Sequence, residues 1–230
     1  MKDSRGLPLI VADPYPPYQY LDKGRIVGLD HDLIVKAFKT QGVAVRIELH
    51  PWNECIRMLD EGVADAVFRM AKTPEREKKY LFSDLLRKAT TALYKLRTSN
   101  IRLDVDAQFD RQLQGLRLGL VKGYSYGPQI DGLEGVARFE VNDQEELLTR
   151  LVEGSFDLAL IDRGVSIYLT DKLGLKGKLE EVKGFAITRE LYLAFHRSKG
   201  YLLNSFNEGL KRIKLEGLYN RIFRKYKLTP

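Results

Sequence analysis

The feature that most constrains this chain is an α/β alternation that runs, stops and starts again. Leu9–Ala12 is a short apolar run, read as a strand, and is followed by the loop Asp13-Pro14-Tyr15-Pro16-Pro17-Tyr18. Ile26–Asp30 leads into a helix through Thr40, closed by Gly42. Val43–Leu49 alternates as a strand does. Trp52–Glu61 reads as a helix with Gly62 at its C-cap, and Ala66–Phe68 as a short strand. The pattern then restarts. Leu116–Val121 is a strand, Lys122–Gly127 a loop before a helix, Gln144–Glu153 a helix and Leu158–Ile161 a strand. A βαβα order calls for an α/β layer structure with parallel strands.

Two observations suggest paired lobes. Leu59-Asp60-Glu61-Gly62-Val63-Ala64-Asp65 and Leu151-Val152-Glu153-Gly154-Ser155-Phe156-Asp157 share L-x-E-G-x-x-D at the same stage of each half. Extended stretches, Thr90–Lys95 and Tyr192–His196, flank the second half, and a polar stretch, Ile101–Gln114, follows the first of them. The expected domains are therefore 1–93 with 190–230, and an inserted 94–189. Two crossing strands then make a hinge, with a ligand cleft between the lobes.

The residue counts exclude several functions. No apolar run approaches the ~18 residues of a membrane helix. One cysteine, Cys55, allows no internal disulfide, and three scattered histidines make a poor metal site, so neither metal nor cofactor is expected. The net charge of +7 invites a nucleic-acid reading. Much of it sits in the last thirty residues, which read as one amphipathic helix with a solvated basic face, and no nucleic acid is expected. Met1–Pro8 has no signal-peptide pattern, which fits a cytosolic chain or one whose export signal has been removed. There is no Gly-x-Ser-x-Gly elbow, P-loop or Gly-x-Gly-x-x-Gly, which favours binding over catalysis.

The candidate site residues lie where strands end, because open α/β sheets bind ligands at that edge. Asp13 and Tyr15 follow the first strand; the prolines hold the tyrosine either for a ligand or against its own lobe. Trp52 opens a helix and either lines the crevice or anchors the helix in the core. Thr73-Pro74-Glu75-Arg76 is a helix start with Thr as cap. Arg76 is then either a surface residue or a two-pronged grip for a carboxylate, with Arg69 and Lys72 adding positive charge. In the second half, Lys122–Gly127 either turns the chain or offers N–H groups to an anion. Asp162 either caps the next helix or takes an ammonium group.

In this order and spacing, D-P-Y-P-P-Y, G-L-D-H-D-L, W-(12 residues)-D-A-V, T-P-E-R, F-S-D, V-K-G-Y-S, D-L-A-L-I-D and E-G-L-Y-N-R-I resemble the bacterial extracytoplasmic solute-binding proteins of polar-amino-acid ABC transporters. The resemblance covers nearly the whole chain. It implies a type II periplasmic-binding-protein fold, a monomer outside the cytoplasmic membrane, and delivery of an amino acid or related small carboxylate to a permease. It also implies roles. Arg76 matches the arginine that holds the ligand's α-carboxylate, and Asp162 the acid that holds its α-ammonium. Tyr15 and Trp52 match residues that sandwich the ligand side chain. Asp13 falls where some members contact a basic side chain, and Tyr124 and Ser125 on a loop that closes over the carboxylate. One stretch departs from the family: Arg69-Met70-Ala71-Lys72 stands where small Ser, Gly or Thr residues usually hydrogen-bond the ligand, and is one residue shorter. Arg69, Met70 and Lys72 are expected to line the ligand site in their place, although Met70 has no side-chain hydrogen bond to donate. The added charge of this stretch suits an acidic, dicarboxylate or modified ligand. The resemblance also leaves a sensor domain of a membrane receptor or histidine kinase, and a dehydratase-like enzyme, as alternatives.

Overall fold

The structure is a computed structural model that describes residues 6–104, 106–124 and 126–230. The chain divides into two compact units, Met1–Lys88 with Arg189–Pro230, and Ala89–Thr188. In chain order the first unit opens with β1 (Leu9–Ala12), the hairpin β2 (Tyr20–Asp22) and β3 (Arg25–Val27), and α1 (Leu29–Thr40). It continues through β4 (Arg46–Leu49), α2 (Trp52–Asp60), β5 (Ala66–Met70), α3 (Pro74–Lys79) and β6 (Leu81–Phe82). Strand β7 (Arg87–Leu96) leads into the second unit, with α4 (Phe109–Gln112), β8 (Arg117–Val121), α5 (Pro128–Asp131), β9 (Ala137–Val141), α6 (Gln144–Val152), β10 (Leu158–Asp162) and α7 (Arg163–Lys172). Strand β11 (Leu179–Phe195) leads back, to α8 (Gly200–Leu215) and α9 (Leu218–Lys225).

In the first unit β1 lies between β4 and β5, parallel to both. The last residues of β11 pair antiparallel with β5 and with β6. All four residues of β1 are buried, as a central parallel strand requires. Helix α1 buries Leu29, Leu33, Ile34, Ala37 and Phe38, one stripe at helical spacing. Each large side chain of that stripe contributes about 1.5–3 kcal/mol on burial. The stripe faces α8, where Gly209 is essential to the contact: a Cβ there would lie 2.1 Å from the Ala37 carbonyl oxygen.

In the second unit β8 lies between β9 and β10, parallel to both, and β7 pairs antiparallel with β10. One face carries a core of Leu93, Leu118, Leu158 and Leu160 with Tyr126 and Ile130. Leu147, Leu148 and Leu151 are the buried stripe of α6.

Most expected elements appear within a few residues of their sequence boundaries. The hairpin β2–β3, turned by Lys23 (φ 46°) and Gly24 (φ 77°), was not expected. Nor was α4, inside the polar stretch. The C-terminal thirty residues are corrected: they form two helices and not one. Gly217, at φ 69°, breaks the run. The redirected α9 can then bury Tyr219 and Phe223, and the Tyr219 hydroxyl donates to the Leu86 carbonyl at 2.6 Å. The basic side chains of both helices remain exposed, as the sequence implied.

Candidate functional site

At the carboxyl edge of the first unit, β1 and β5 run parallel with Val11 opposite Val67. Two residues further on, the same register brings Asp13 opposite Arg69. Arg69 Nη2 donates to Asp13 Oδ2 at 2.8 Å. The Arg69 guanidinium also lies 4.1 Å from the centre of the Tyr15 ring. Tyr15 stacks on Tyr18 (5.9 Å, 9° between planes), and Tyr18 carries a second guanidinium, that of Arg87, at 3.7 Å. Backbone bonds between Tyr15 and Gln19, and from Gln19 Nε2 to the Asp13 carbonyl, fix this loop. Burial pulls the Arg69 pKa down, but the Asp13 carboxylate and Tyr15 outweigh it and hold the guanidinium charged.

The Thr-Pro-Glu-Arg helix start forms as expected: the Thr73 hydroxyl accepts the Arg76 N–H at 3.3 Å and Pro74 opens α3. The half-buried Arg76 side chain donates from Nη1 to the Ala71 carbonyl at 2.9 Å. Among the described residues no carboxylate forms an ion pair with it. The exposed Lys72 ammonium sits 4.3 Å from the Tyr192 ring centre and 5.7 Å from that of Phe82.

Trp52 packs half-buried against the core cluster that contains Cys55 and Met58, so the core-anchor reading holds for much of its ring. Met70 is a correction. It is fully buried in that same cluster, and its side chain has no surface to offer a ligand. Regular alternation would set Met70 on the face opposite Val67, yet both lie in this cluster. The pairing of β5 with β11 shifts register at Arg69, whose φ of 65° marks a bulge that turns its side chain to the edge and the next one into the core. Cys55 is buried too, which pushes its thiol up to about 11 and leaves it inert at neutral pH.

In the second unit, Asp162 ends β10 and caps α7, its Oδ1 accepting from the Gly164 and Val165 N–H groups at 2.9 and 3.1 Å. The side chain is almost fully buried. On the Lys122–Gly127 loop, the N–H groups of Tyr126 and Gly127 donate to the Asp131 carboxylate at 3.0 and 3.1 Å. An internal acid therefore holds the donors that an anion would need at those two positions. Tyr124 is exposed and its ring lies 6.3 Å from that of Tyr126. Ser125 lies outside the described residues.

The structure thus gathers Asp13, Tyr15 and Arg69 into one cluster. It sets Lys72 on an aromatic pair, ties Arg76 to Ala71 and gives Asp162 a helix to cap. The sequence places Arg69 among the ligand-binding residues as added positive charge and gives it no partner within the chain. Its pairing with Asp13 could have been found from the opposite charges at two strand ends, but only once the β1–β5 register was known.

Residues 7–229 match the family described as bacterial extracellular solute-binding proteins, family 3. Two relatives come from Bacillus subtilis. The L-cystine-binding protein TcyA is 24% identical over 92% of this chain and 77% of its own length. The arginine-binding extracellular protein ArtP is 28% identical over 92% and 82%. Among solved structures, a histidine kinase sensor domain with similarity to periplasmic binding proteins superposes over the full length of both chains, at 22% identity and TM-score 0.76. The ancestral amino acid-binding protein AncCDT-1, a precursor of cyclohexadienyl dehydratase, does so over 96% of both, at 26% identity and TM-score 0.75.

Proposed function

The chain belongs to the bacterial extracellular solute-binding proteins of family 3, and from that premise we propose that it captures a small amino-acid-like solute outside the cytoplasmic membrane and delivers it to an ABC permease. The observation that carries this reading is Arg76. A half-buried arginine, oriented by a backbone carbonyl and with no carboxylate in ion-pair range among the described residues, is a preformed receptor for a ligand carboxylate. Lys72 supplies further positive charge on the same segment. In the second unit we assign Asp162 to the ligand's ammonium group, because its cap bonds fix the carboxylate in place. Tyr15 and Trp52 are assigned to the ligand's side chain, Asp13 to the edge of the same site, and Tyr124 and Ser125 to the ligand's carboxylate. The relatives are named as binding proteins, which supports binding over catalysis. The fold likeness to a kinase sensor domain makes ligand sensing the second reading.

Calorimetry against the proteinogenic amino acids tests the proposal, with one or more of them expected to bind. Arg76→Ala leaves a ligand charge unpaired, and the expected loss is about 2–5 kcal/mol, or roughly thirtyfold to several thousandfold. Arg76→Lys stays weak, since a point charge does not replace a planar fork. Asp162→Asn keeps an oxygen for the helix cap and removes the charge, so it separates ligand binding from folding. Near-normal affinity in Arg76→Ala overturns the assignment.

A further inference from the structure

A carboxylate beside the face of a tyrosine is a receptor for a cation. Asp13 and Tyr15 make such a receptor at the carboxyl edge of the first unit, and the chain occupies it with its own arginine. We propose that Arg69 sets the specificity of the ligand site: its guanidinium fills, from within, the place that Asp13 and Tyr15 would give to a cationic ligand side chain, so the protein takes amino acids with neutral or anionic side chains and refuses arginine and lysine. The inference rests on the proposed reading of this edge as a ligand site.

Three features distinguish the Arg69–Asp13 pair from a structural ion pair. The first is its geometry, for which the same unit holds a comparison. Arg87 and Asp30 join through two bonds, Nε to Oδ1 at 2.5 Å and Nη2 to Oδ2 at 2.9 Å, with side-chain exposures of 2% and 0%. Arg69 and Asp13 share a single bond, and their side chains keep exposures of 24% and 21%, so a ligand can reach them.

The second is incomplete satisfaction. Arg69 Nε and Asp13 Oδ1 are both buried without a hydrogen-bond partner. A pair selected for stability alone would close that fork, because buried unmet polar atoms are costly. The third is the backbone. Arg69 sits at φ 65°, a region that few residues other than glycine enter. The pairing of β5 with β11 shifts register at the same residue, so Arg69 stands on a bulge, a device that re-aims a side chain and is frequent beside binding sites.

The charge balance agrees with the direction of the selectivity. With Asp13 neutralised by Arg69, the remaining named cations of this segment are Lys72 and Arg76. One can meet the α-carboxylate and the other favours a second anionic group.

The test compares the unaltered protein with Arg69→Ala by calorimetry against L-arginine, L-lysine, L-glutamine and L-glutamate. Arg69→Gly, which accepts the positive φ, replaces the alanine variant if that one folds poorly. The unaltered protein is expected to prefer glutamine or glutamate to arginine. Arg69→Ala is expected to gain affinity for arginine by roughly tenfold or more, and Asp13→Ala added to it is expected to abolish the gain. A second readout needs no amino acid. Ethylguanidinium should raise the melting temperature of Arg69→Ala by refilling the vacated place, and should leave the unaltered protein and the double variant unmoved. Should no amino acid bind any of these proteins, the proposed function fails, while the ethylguanidinium response still decides the place of Arg69. An unaltered protein that prefers arginine overturns the inference. So does an Arg69→Ala variant with unchanged selectivity and no response to ethylguanidinium.

Discussion

In the first unit Asp65 accepts the Leu9 N–H at 2.7 Å and returns its own N–H to the Leu9 carbonyl at 2.8 Å. In the second, Asp157 accepts the Arg117 N–H at 2.8 Å and returns its own to the Arg117 carbonyl at 2.9 Å. The repeated L-x-E-G-x-x-D is thus a clasp that joins the entries of two parallel strands, β1 to β5 and β8 to β10. The two copies differ in their remaining charge partner. Asp157 takes the guanidinium of Arg117, the residue it already clasps, and Arg117 also donates to the Ser155 and Gly154 carbonyls. Asp65 takes Lys199, at 2.7 Å, from beyond β11.

The difference follows from connectivity. The inserted unit is one continuous stretch and satisfies this clasp from within it. The first unit is assembled from both ends of the chain. Its clasp, the α1–α8 contact and the Tyr219–Leu86 bond all reach into the C-terminal segment. Its stability therefore depends on residues more than a hundred positions away, whereas the second unit's clasp closes over about forty.

The largest expected effect that could break this comparison is from Gly209→Ala. The new Cβ would meet backbone at Ala37, which cannot step aside, and overpacking of this kind costs about 3 kcal/mol. Hydrogen exchange should accelerate in β1 and β5 and stay slow in β8 and β10. Gly119→Ala is its counterpart: the Cβ would meet the Phe156 ring at 2.4 Å, and the loss should appear in β8 and β10. If both substitutions loosen both units equally, the two do not stand apart in stability.

Next in size are the clasps. Asp65→Ala and Asp157→Ala each orphan a strand N–H, with an expected loss of about 1–3 kcal/mol by denaturant titration. The clasp comparison is sharpened by adding Lys199→Ala to the first and Arg117→Ala to the second. The coupling energy should be greater for Asp157 with its forked guanidinium than for Asp65 with a single ammonium. Equal couplings would remove the distinction.

The smallest effect is a pH dependence in the tie between α1 and α9. Burial pushes the Asp32 carboxyl up, but hydrogen bonds from His31, Lys225 and Tyr226 outweigh it and bring it to about 2, below the ordinary 3.8. A depressed carboxyl pKa adds stability above its unfolded value, and that stability is lost as pH falls through the folded one. The contribution, about 1–2 kcal/mol, should therefore disappear between pH about 4 and 2. Asp32→Asn should lower the melting temperature at neutral pH and flatten that acid limb. An unchanged limb would show that the tie contributes nothing to the first unit.

The α/β alternation and the Thr73 cap were legible in the residues alone, whereas the Gly217 break between α8 and α9 was not: the last thirty residues read as one helix. The legible features are local: cap chemistry and hydrophobic period act within a few residues. The strand-end positions of Asp13 and Asp162, and that of Arg76 in the first turn of a capped helix, were legible for the same reason. Tertiary structure alone decided the partners. Met70 went to the core and Arg69 to the edge through a bulge where β5 pairs with β11, a break in strand phase that no local pattern announces. Arg69 found Asp13, and Asp131 took the loop N–H groups, through pairings that depend on sheet register and loop closure. A charge in a sequence has no direction until its backbone is placed, and 56 residues separate Asp13 from the arginine that meets it.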